Sequence, residues 1–308
     1  MAKKKKKRRS QAPIALVYFS TMVVFIVVFG FIALGMMNKL SPNTEKVSFS
    51  SSSVENADPT DENNQTFLYM VKNDKSSLDS VMVARFMPAD GKIKLIPLSP
   101  YTTTSDDSNG QTLDQVFQTN GASGIVDAVS GIFGIGIDKY MCMGEQCFKN
   151  ICNNLGNITY EIPENMYYND KNSDDNEDII DYEKGATTLE GFQIRQLMIY
   201  PKYKKGYSQN VTVAGELMQN LINSGFKLQT TRDNLGSIYS NLLQESAEKN
   251  FTENDFKETE EFYYYIMENF DNPAETLIPT GTWSNNGYKF MIDGTFKAQI
   301  KSMFKVEG

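Results

Sequence analysis

Residues 66–98, TFLYMVKNDKSSLDSVMVARFMPADGKIKLIPL, decide the fold class, because they contain three short apolar runs separated by polar turns. The runs Thr66–Lys72, Leu78–Phe86 and Lys92–Leu98 are rich in β-branched, aromatic and other apolar residues, a composition typical of buried strands. Asp90-Gly91 separates the second run from the third and is a typical hairpin turn. The sequence therefore predicts a β-sheet that begins here with an antiparallel pair.

Downstream of these strands, helical and strand patterns alternate along the chain. Further strands are expected at Tyr140–Met143, Ile158–Ile162 and Tyr288–Ile292. Helices are expected at Leu113–Phe117, Ala122–Phe133, Glu145–Leu155, Thr187–Tyr200, Asn210–Ser224, Leu235–Glu245, Phe256–Phe270 and Gly294–Phe304. The alternation predicts an α/β domain with helices on both faces of one sheet. The acidic insert Asn169–Tyr182 lacks the ligand spacing of a calcium loop and is interpreted as a solvated loop.

The N-terminal 37 residues have the pattern of a membrane anchor. Lys3–Arg9 is a run of seven basic residues, and Ile14–Met37 is an uncharged, mostly apolar run. As a helix rising about 1.5 Å per residue, this run would span roughly 36 Å, which exceeds the roughly 30 Å of a bilayer core. Since basic flanks stay in the cytoplasm, we expect an N-terminus inside the cell. A cleaved signal peptide would have a shorter apolar region and a small-residue cleavage site, and Gly35–Asn38 is a poor one.

These features divide the chain into four predicted parts. They are a cytoplasmic basic tail (1–12), a transmembrane signal-anchor helix (13–37), a flexible spacer (38–65) and an extracytoplasmic domain (66–308). The spacer is predicted because Ser41–Gln65 is polar and low in complexity, and cannot bury a core. We therefore expect a single-pass protein of the cell membrane whose C-terminal domain lies outside the cell.

Charge and composition exclude several classes of function. Once the seven basic residues ahead of residue 38 are set aside, 23 basic and 38 acidic residues remain, a net charge of −15. Such an acidic domain argues against a nucleic-acid partner, because phosphate binding needs a basic surface. The chain has no histidine, which excludes Ser-His-Asp and Cys-His catalysis and histidine-ligated zinc. Cys142, Cys147 and Cys152 match no metal or redox spacing and are expected to be buried core residues.

Five segments of the chain are similar, in order and spacing, to motifs of one family of bacterial envelope proteins. They are Leu78–Met82 (LDSVM), Pro88–Thr102 (PADGK, then IPLSPYT), Phe133–Tyr140 (FGIGIDKY), Phe148–Pro163 (FKNICNNLGNITYEIP) and Lys184–Gln193 (KG, then LEGFQ). Together they resemble the LytR-CpsA-Psr family over roughly residues 66–224, and the anchor with its spacer matches the layout of that family. The resemblance implies an α/β/α sandwich with a mixed central sheet and an apolar pocket for a lipid tail.

The resemblance also implies an activity. Members of the family move a glycopolymer from a polyprenyl-pyrophosphate carrier onto peptidoglycan, a phosphotransferase (ligase-type) reaction in which arginines and Mg²⁺ stabilise the leaving pyrophosphate. By resemblance, Asp79 stands at the catalytic and metal-binding position, and Thr102 matches the threonine of the Pro-Arg-Asp-Thr motif. The expected cofactor is Mg²⁺ at Asp79, and the expected partners are the lipid membrane and a polyprenyl-pyrophosphate-linked glycopolymer or peptidoglycan.

The sequence departs from the family where the pyrophosphate would bind. Ser99–Thr102 (SPYT) replaces Pro-Arg-Asp-Thr, and Ile199 and Pro201 occupy the positions of two arginines. Lysine supplies charge without the guanidinium fork, and each lost charged hydrogen bond costs roughly 1.5–3 kcal/mol. The remaining candidate phosphate-binding residues are Lys202, Lys204, Lys205 and Gln209.

Three interpretations follow from the sequence. The first is a working transferase with Mg²⁺ at Asp79 and lysines on the phosphate. The second is a family member with reduced or lost catalysis, which binds or regulates envelope machinery and whose apolar Ile125–Ile137 stretch lines a lipid groove or forms a plain core helix. The third is an unrelated type II membrane glycoprotein, because four residues head Asn-x-Thr acceptor triplets: Asn64, Asn157, Asn210 and Asn250.

Overall fold

Twelve strands lie within the described parts of the chain, which in this computed structural model are residues 58–169, 179–284 and 287–304. In chain order they are β1 (Gln65–Lys72), β2 (Leu78–Met87), β3 (Lys92–Leu98), β4 (Lys139–Gly144), β5 (Ile158–Ile162), β6 (Met166–Asn169), β7 (Ile179–Tyr182), β8 (Gly185–Leu189), β9 (Ser246–Lys249), β10 (Ala274–Thr276), β11 (Gly281–Trp283) and β12 (Phe290–Ile292). A short 3₁₀ helix, Asp61–Asn63, precedes β1.

Six of these strands form the central sheet, in the order β10-β3-β2-β1-β4-β9. The pairs β1–β2, β2–β3 and β4–β9 are antiparallel, whereas β1–β4 and β10–β3 are parallel. The sheet is therefore mixed. The other strands form three two-stranded pairs, β5–β8, β6–β7 and β11–β12.

Helices cover both faces of the central sheet in the described part of the chain. In chain order they are α1 (Leu113–Phe133), α2 (Glu145–Leu155), α3 (Gly191–Ile199), α4 (Tyr207–Gly225), α5 (Gln229–Asp233), α6 (Leu235–Glu245), α7 (Glu253–Asn269) and α8 (Gly294–Met303). One core packs α2, α3, α4, α6 and α7 against the sheet, and the second core packs α1 and α8 against the opposite face. The predicted α/β/α sandwich with a mixed sheet is present.

The alternation of side chains along β1 explains why both faces are covered. Phe67 and Val71 belong to the first core, whereas Leu68 and Met70 belong to the second. Successive side chains of a strand point to opposite faces, so a strand that is apolar at nearly every position needs helices on both sides. This is the physical reason why the run TFLYMVK forms a strand inside the sheet rather than at its edge.

Glycines end or break elements where the sequence predicts it. Gly91 in the β2–β3 turn has φ +61°, and its N–H donates to the carbonyl of Pro88 at 3.1 Å. Gly134 ends α1 in the left-handed conformation, at φ 64°. The two helical patterns predicted at Leu113–Phe117 and Ala122–Phe133 form one element whose geometry is interrupted at Gly121.

Two predicted elements are wrong in part. The helix predicted at Thr187–Tyr200 is strand β8 followed by α3, because Gly185–Leu189 pairs in antiparallel register with β5. The insert predicted as a solvated loop begins at the last residue of β6 and ends with β7, and these two strands form an antiparallel pair. In both places a neighbouring strand decides the structure, which local spacing does not reveal.

The cysteine prediction is confirmed, because Cys142, Cys147 and Cys152 are buried and unbridged. The predicted basic tail, the anchor helix at 13–37 and most of the spacer lie outside the described residues. Among the residues that the structure describes, no helix combines the length and the apolar character that crossing a bilayer requires.

Candidate functional site

An apolar cavity lies between the central sheet and the helices of the first core. It has a volume of about 180 Å³, more than ten times the space that one water molecule needs. None of the described residues that line it is charged. Its walls come from β1–β4, α2, α3, α4, α6 and α7, with Phe67, Met82, Phe148, Met218 and Leu242 as examples. Because its lining is apolar, such a cavity suits a hydrocarbon ligand better than a polar one.

Three tyrosines line this cavity and remain neutral. Burial raises the pKa of Tyr263 to about 12, and it raises the pKa values of Tyr69 and Tyr239 well above the ordinary value of 10.0. Because all three stay protonated at physiological pH, they add no charge to the cavity wall.

The predicted groove wall Ile125–Ile137 does not line this cavity. Ile125 is fully buried in the second core, on the opposite face of the sheet. The structure therefore favours the plain core helix for the helical part of this stretch.

A polar pocket adjoins the apolar cavity, with which it shares Ser80 and Met198. It has a volume of about 260 Å³ and lies where β2 begins and α4 begins. Its polar lining includes Asp79, Asp114 and Asn210. Among the described residues that line it, none is lysine or arginine. The pocket therefore offers hydrogen-bond acceptors and aromatic surface rather than positive charge.

Asp79 is held by an ion-pair cluster under this pocket. The guanidinium of Arg195 donates from Nε and Nη2 to Oδ2 of Asp79, at 2.9 and 2.6 Å. Nη2 of Arg195 also lies 2.7 Å from Oε1 of Glu145. Asn73 donates to the other carboxylate oxygen of Asp79 at 3.1 Å. The side chains of Arg195 and Asp79 are only 11% and 10% exposed, so the cluster is a buried one.

Burial and charge act in opposite directions on these carboxyls. Burial raises the pKa of Asp79, and the neighbouring Arg195 guanidinium partly reverses that shift. Glu145 shows the same balance, with its pKa raised by burial and partly lowered by Arg195. Removing one partner of such a cluster leaves an uncompensated buried charge.

Aromatic side chains form one wall of the polar pocket. Tyr101 and Tyr207 line it, and their ring centroids lie 4.5 Å apart. Tyr207 also lies near Trp283, at 6.0 Å between centroids. Burial and a hydrogen bond with Tyr207 raise the pKa of the Tyr101 phenol, which stays neutral. Tyr101 belongs to the segment Ser99–Thr102 (SPYT), which contains no charged residue.

The predicted phosphate-binding residues do not line the polar pocket that contains Asp79. Lys204, Lys205 and Gln209 line a different, open pocket together with Lys184 and Glu164. The Lys204 side chain is 81% exposed, and its ammonium lies 3.9 Å from a carboxylate oxygen of Glu164. We call this group, Lys184, Lys204, Lys205 and Gln209, the lysine pocket.

Lys202 and Thr102 occupy other surroundings. The ammonium of Lys202 lies 5.1 Å from the ring centroid of Tyr168, a cation–π contact. Thr102 is fully buried, and its hydroxyl has no hydrogen-bond partner. Neither residue lines the polar pocket.

The polar pocket and the lysine pocket are linked by a third cavity. Val211 lines both the polar pocket and this third cavity, and Lys205 and Gln209 line both the third cavity and the lysine pocket. The apolar cavity, the polar pocket and the lysine pocket therefore follow one another along α3 and α4.

The donor set at Asp79 does not fit a divalent cation as it stands. All four carboxylate oxygens of Asp79 and Asp114 already accept hydrogen bonds; those of Asp114 come from Leu78 and Gln118. Within the described ranges, no group of three or more Asp, Glu, Cys or His side chains is arranged to hold a metal. Magnesium prefers an octahedral set of oxygen ligands that are free to approach it.

Comparison with known proteins identifies the family. The sequence profile of the LytR_cpsA_psr family matches residues 36–301. The chain belongs to the LytR_cpsA_psr family. It is 23% identical over 243 residues to the polyisoprenyl-teichoic acid–peptidoglycan teichoic acid transferase TagV of Bacillus subtilis (strain 168). That match covers 76% of this chain and 60% of TagV, so the chain spans about 60% of the length of that relative.

Solved structures share the fold of this LytR_cpsA_psr protein. A protein from Eubacterium siraeum DSM 15702, described as a candidate transcription regulator, has a TM-score of 0.71 at 18% identity, covering 83% of this chain and 97% of that chain. The crystal structure of B. subtilis TagV has a TM-score of 0.62 at 18% identity, covering 78% and 95%. TagT bound to LIIa-WTA has a TM-score of 0.58 at 15% identity, covering 83% and 96%. Membership of the family removes the third interpretation, an unrelated glycoprotein.

Sequence reasoning missed the residues that surround Asp79. Arg195 lies only two residues after Gln193, the end of a recognised motif, yet its contact with Asp79 joins residues 116 positions apart. Glu145, the first residue of α2, is predicted from the sequence only as the start of a helix. The signal that could have revealed this contact is the one arginine on α3, because α3 begins within the recognised motif Leu189–Gln193.

Proposed function

We propose that this protein binds a polyprenyl-linked glycopolymer of the bacterial cell envelope, and that its capacity to transfer the polymer to peptidoglycan is reduced or lost. One observation carries the proposal. A charge-free apolar cavity adjoins a polar pocket that has carboxylates and aromatic rings but, among its described lining residues, no cation.

The apolar cavity is the proposed site of the polyprenyl tail. Its contacts are side chains such as Phe148, Met198 and Leu242, which gain free energy by removing hydrocarbon from water. The relative TagV is named for a polyisoprenyl-linked teichoic acid, which supports a lipid-linked polymer as the ligand class.

The polar pocket is the proposed reason for weak transfer. Departure of a pyrophosphate develops negative charge, and enzymes stabilise it with arginines or metal ions aimed at the leaving oxygens. Here Arg195, which contacts Asp79 at the edge of the pocket, already forms ion pairs with Asp79 and Glu145. Each missing charged hydrogen bond is worth roughly 1.5–3 kcal/mol, so losing several lowers the rate by orders of magnitude. In this account Asp79 orients groups in the pocket, and we assign no catalytic step to the buried Thr102.

The lysine pocket is the proposed contact for phosphates further along the polymer. Lys184, Lys204 and Lys205 are close enough to line one opening, and Gln209 adds a neutral side chain. Lys202 on the Tyr168 ring lies on the same segment and adds to its positive charge. Exposed lysines bind phosphate weakly and in a salt-dependent way, which suits holding a polymer rather than stabilising a leaving group.

Membrane anchoring by residues 13–37 belongs to the same proposal. The anchor, with the tail 1–12 in the cytoplasm, would hold the domain outside the cell beside the membrane, where a lipid-linked polymer is found. The spacer 38–65 would set the distance between the domain and the bilayer.

Binding of a short polyprenyl pyrophosphate to the full-length protein in detergent tests the proposal. Met218→Trp adds bulk to the cavity wall and should weaken binding at least about tenfold, or by about 1.4 kcal/mol. Met303→Trp is the matched control, because Met303 packs against the second core on the opposite face. The absence of binding by the unaltered protein, or equal weakening by both variants, would contradict the cavity as the lipid site.

A peptidoglycan-transfer assay separates the two surviving interpretations. We expect little or no transfer by this protein beside a transfer-competent relative such as TagV assayed in parallel. Transfer at a comparable rate would restore the working-transferase interpretation.

A further inference from the structure

We propose that Arg195, bound to Asp79 beside the polar pocket, takes the place of the divalent cation, so that this protein needs no Mg²⁺ at this site. The proposal concerns the same pocket as the proposed function, but it does not depend on lipid binding, because its test needs no lipid.

The contacts of Arg195 are those that a bound cation would make. One guanidinium joins two carboxylates that come from different elements, Asp79 on β2 and Glu145 at the start of α2. Its closest contacts are 2.6 and 2.7 Å, which are lengths of strong charge-assisted hydrogen bonds. Guanidinium is a planar cation whose N–H groups form a fork that fits carboxylate oxygens.

A magnesium ion and Arg195 cannot use the same oxygen in this geometry. Mg²⁺ binds carboxylate oxygens at about 2.0–2.1 Å and keeps several waters around it. Oδ2 of Asp79 is already contacted by both Nε and Nη2 of Arg195, and Oδ1 by Asn73. Binding of Mg²⁺ would therefore require displacement of a buried arginine and would bring two cations together in a poorly solvated place.

The packing of α3 against α2 holds Arg195 in this position. A Cβ at Gly191 would lie 2.3 Å from the backbone oxygen of Lys149, so only glycine permits the observed approach of the two helices. Asn153 accepts a hydrogen bond from the N–H of Gly191 at 2.7 Å. One turn further along α3, Arg195 meets Glu145, which is one turn before Lys149 on α2. The antiparallel packing of α3 on α2 at Gly191 therefore places the Arg195 guanidinium within reach of Asp79 and Glu145.

Direct titration of the full-length protein with Mg²⁺, and with Mn²⁺ followed by electron paramagnetic resonance, tests the proposal. The unaltered protein should bind neither ion in the pocket, and Mg²⁺ should leave its Tm unchanged. Arg195→Gln frees both carboxylates, so this variant should bind the ions and gain several degrees in Tm with Mg²⁺. Asp79→Asn in the Arg195→Gln background should abolish that gain.

Arg232→Gln is the matched control. Arg232 forms an ion pair with Glu268 on the surface, at 3.1 Å, and its removal should create no ion site. A purely structural role for Arg195 predicts loss of stability without any response to Mg²⁺, so the ion response distinguishes the two roles.

Two results would overturn the proposal. One is binding of Mg²⁺ by the unaltered protein that disappears in Asp79→Asn. The other is a folded Arg195→Gln variant that binds no ion. If Arg195→Gln melts too early to titrate, its transition is compared in Mg²⁺ and in EDTA; recovery of the transition in Mg²⁺ supports the proposal, and identical curves overturn it. Failure of lipid binding would leave all of these results unchanged and would count only against the proposed function.

Discussion

The polar pocket and the lysine pocket belong to the same run of cavities, but they differ in how their charged side chains are held. Beside the polar pocket, Arg195 is buried and bonded to Asp79, which lines the pocket, and to Glu145. In the lysine pocket, the Lys204 side chain is 81% exposed, and its ammonium lies 3.9 Å from Glu164. Buried charges must be paired, whereas exposed charges remain available to a ligand but are screened by water and salt. The comparison shows that the buried cation Arg195 is bound by carboxylates of the protein, whereas the exposed lysines can contact a ligand.

The largest expected effect is on stability and follows from removing Arg195, the buried cation. Arg195→Leu leaves Asp79 and Glu145 buried without a cation, so it should lower the free energy of unfolding by about 3–5 kcal/mol. Lys204→Leu, the exposed counterpart, should change it by less than about 1 kcal/mol. Denaturant unfolding of both variants checks this difference, and equal losses would contradict the assignment of buried and exposed charge.

A new cation in the polar pocket should have the next largest effect. Ile199 lines this pocket, and Ile199→Arg would place a guanidinium where the family has one. Affinity for a polyprenyl pyrophosphate should rise by roughly 1.5–3 kcal/mol, or tenfold or more. Ile199→Gln, which adds polarity without charge, is the control in the same binding assay. An equal gain in both variants would show that charge is not what the pocket lacks.

Removal of the exposed lysines of the lysine pocket should have a smaller effect on ligand affinity. Changing Lys184, Lys204 and Lys205 together to glutamine should weaken binding of an anionic glycopolymer by about 1–2 kcal/mol at low salt. The loss should shrink as salt is added, because exposed charges are screened. Affinity for a polyprenyl pyrophosphate without polymer should stay the same. A loss of that affinity would place the lysines at the leaving group instead.

The pH dependence of stability should reveal the smallest difference. Burial raises the pKa values of Asp79 and Glu145, and Arg195 opposes the shift. A carboxyl whose pKa is higher in the folded than in the unfolded chain binds more protons when folded, so its contribution favours folding at low pH and is lost as the pH rises through the folded pKa. Without Arg195 the upward shift grows.

Arg195→Leu should therefore recover part of its lost stability as the pH falls from about 7 towards about 5. Lys204→Leu should differ from the unaltered protein by the same amount throughout this range. Unfolding curves at several pH values measure both, and a constant deficit of Arg195→Leu across the range would contradict buried carboxyls as the cause.

Most of the fold was predictable because local signals agreed with the tertiary structure. The helix Glu145–Leu155 ends at Gly156, and the strand Ile158–Ile162 ends at Pro163, as the sequence predicts. Strand β8 was not recognised, because Thr187 and Thr188 sit beside a genuine helical pattern and only pairing with β5 makes them a strand. The three- and four-residue strands β9, β10 and β11 are not predicted, since so few residues carry little local preference, whereas β12 falls within the strand predicted at Tyr288–Ile292.

The candidate site was predictable only in part. Family motifs identified Asp79 and the segment that contains Lys204, and they showed that arginines were missing. They did not show that Arg195 would form an ion pair with Asp79, because that contact depends on the close packing of Gly191 against Lys149. The separation of Asp79 from the lysine pocket likewise depends on how α4 runs past both, which residue spacing does not specify.

The most direct test of the central claim is the affinity of the full-length protein for a short polyprenyl pyrophosphate, measured once with Mg²⁺ and once with EDTA. If the apolar cavity holds the lipid and Arg195 replaces the metal, the protein binds the lipid in both conditions, with affinities that agree within about twofold, or about 0.4 kcal/mol. Binding that requires Mg²⁺, or that strengthens tenfold or more when Mg²⁺ is present, would contradict the account.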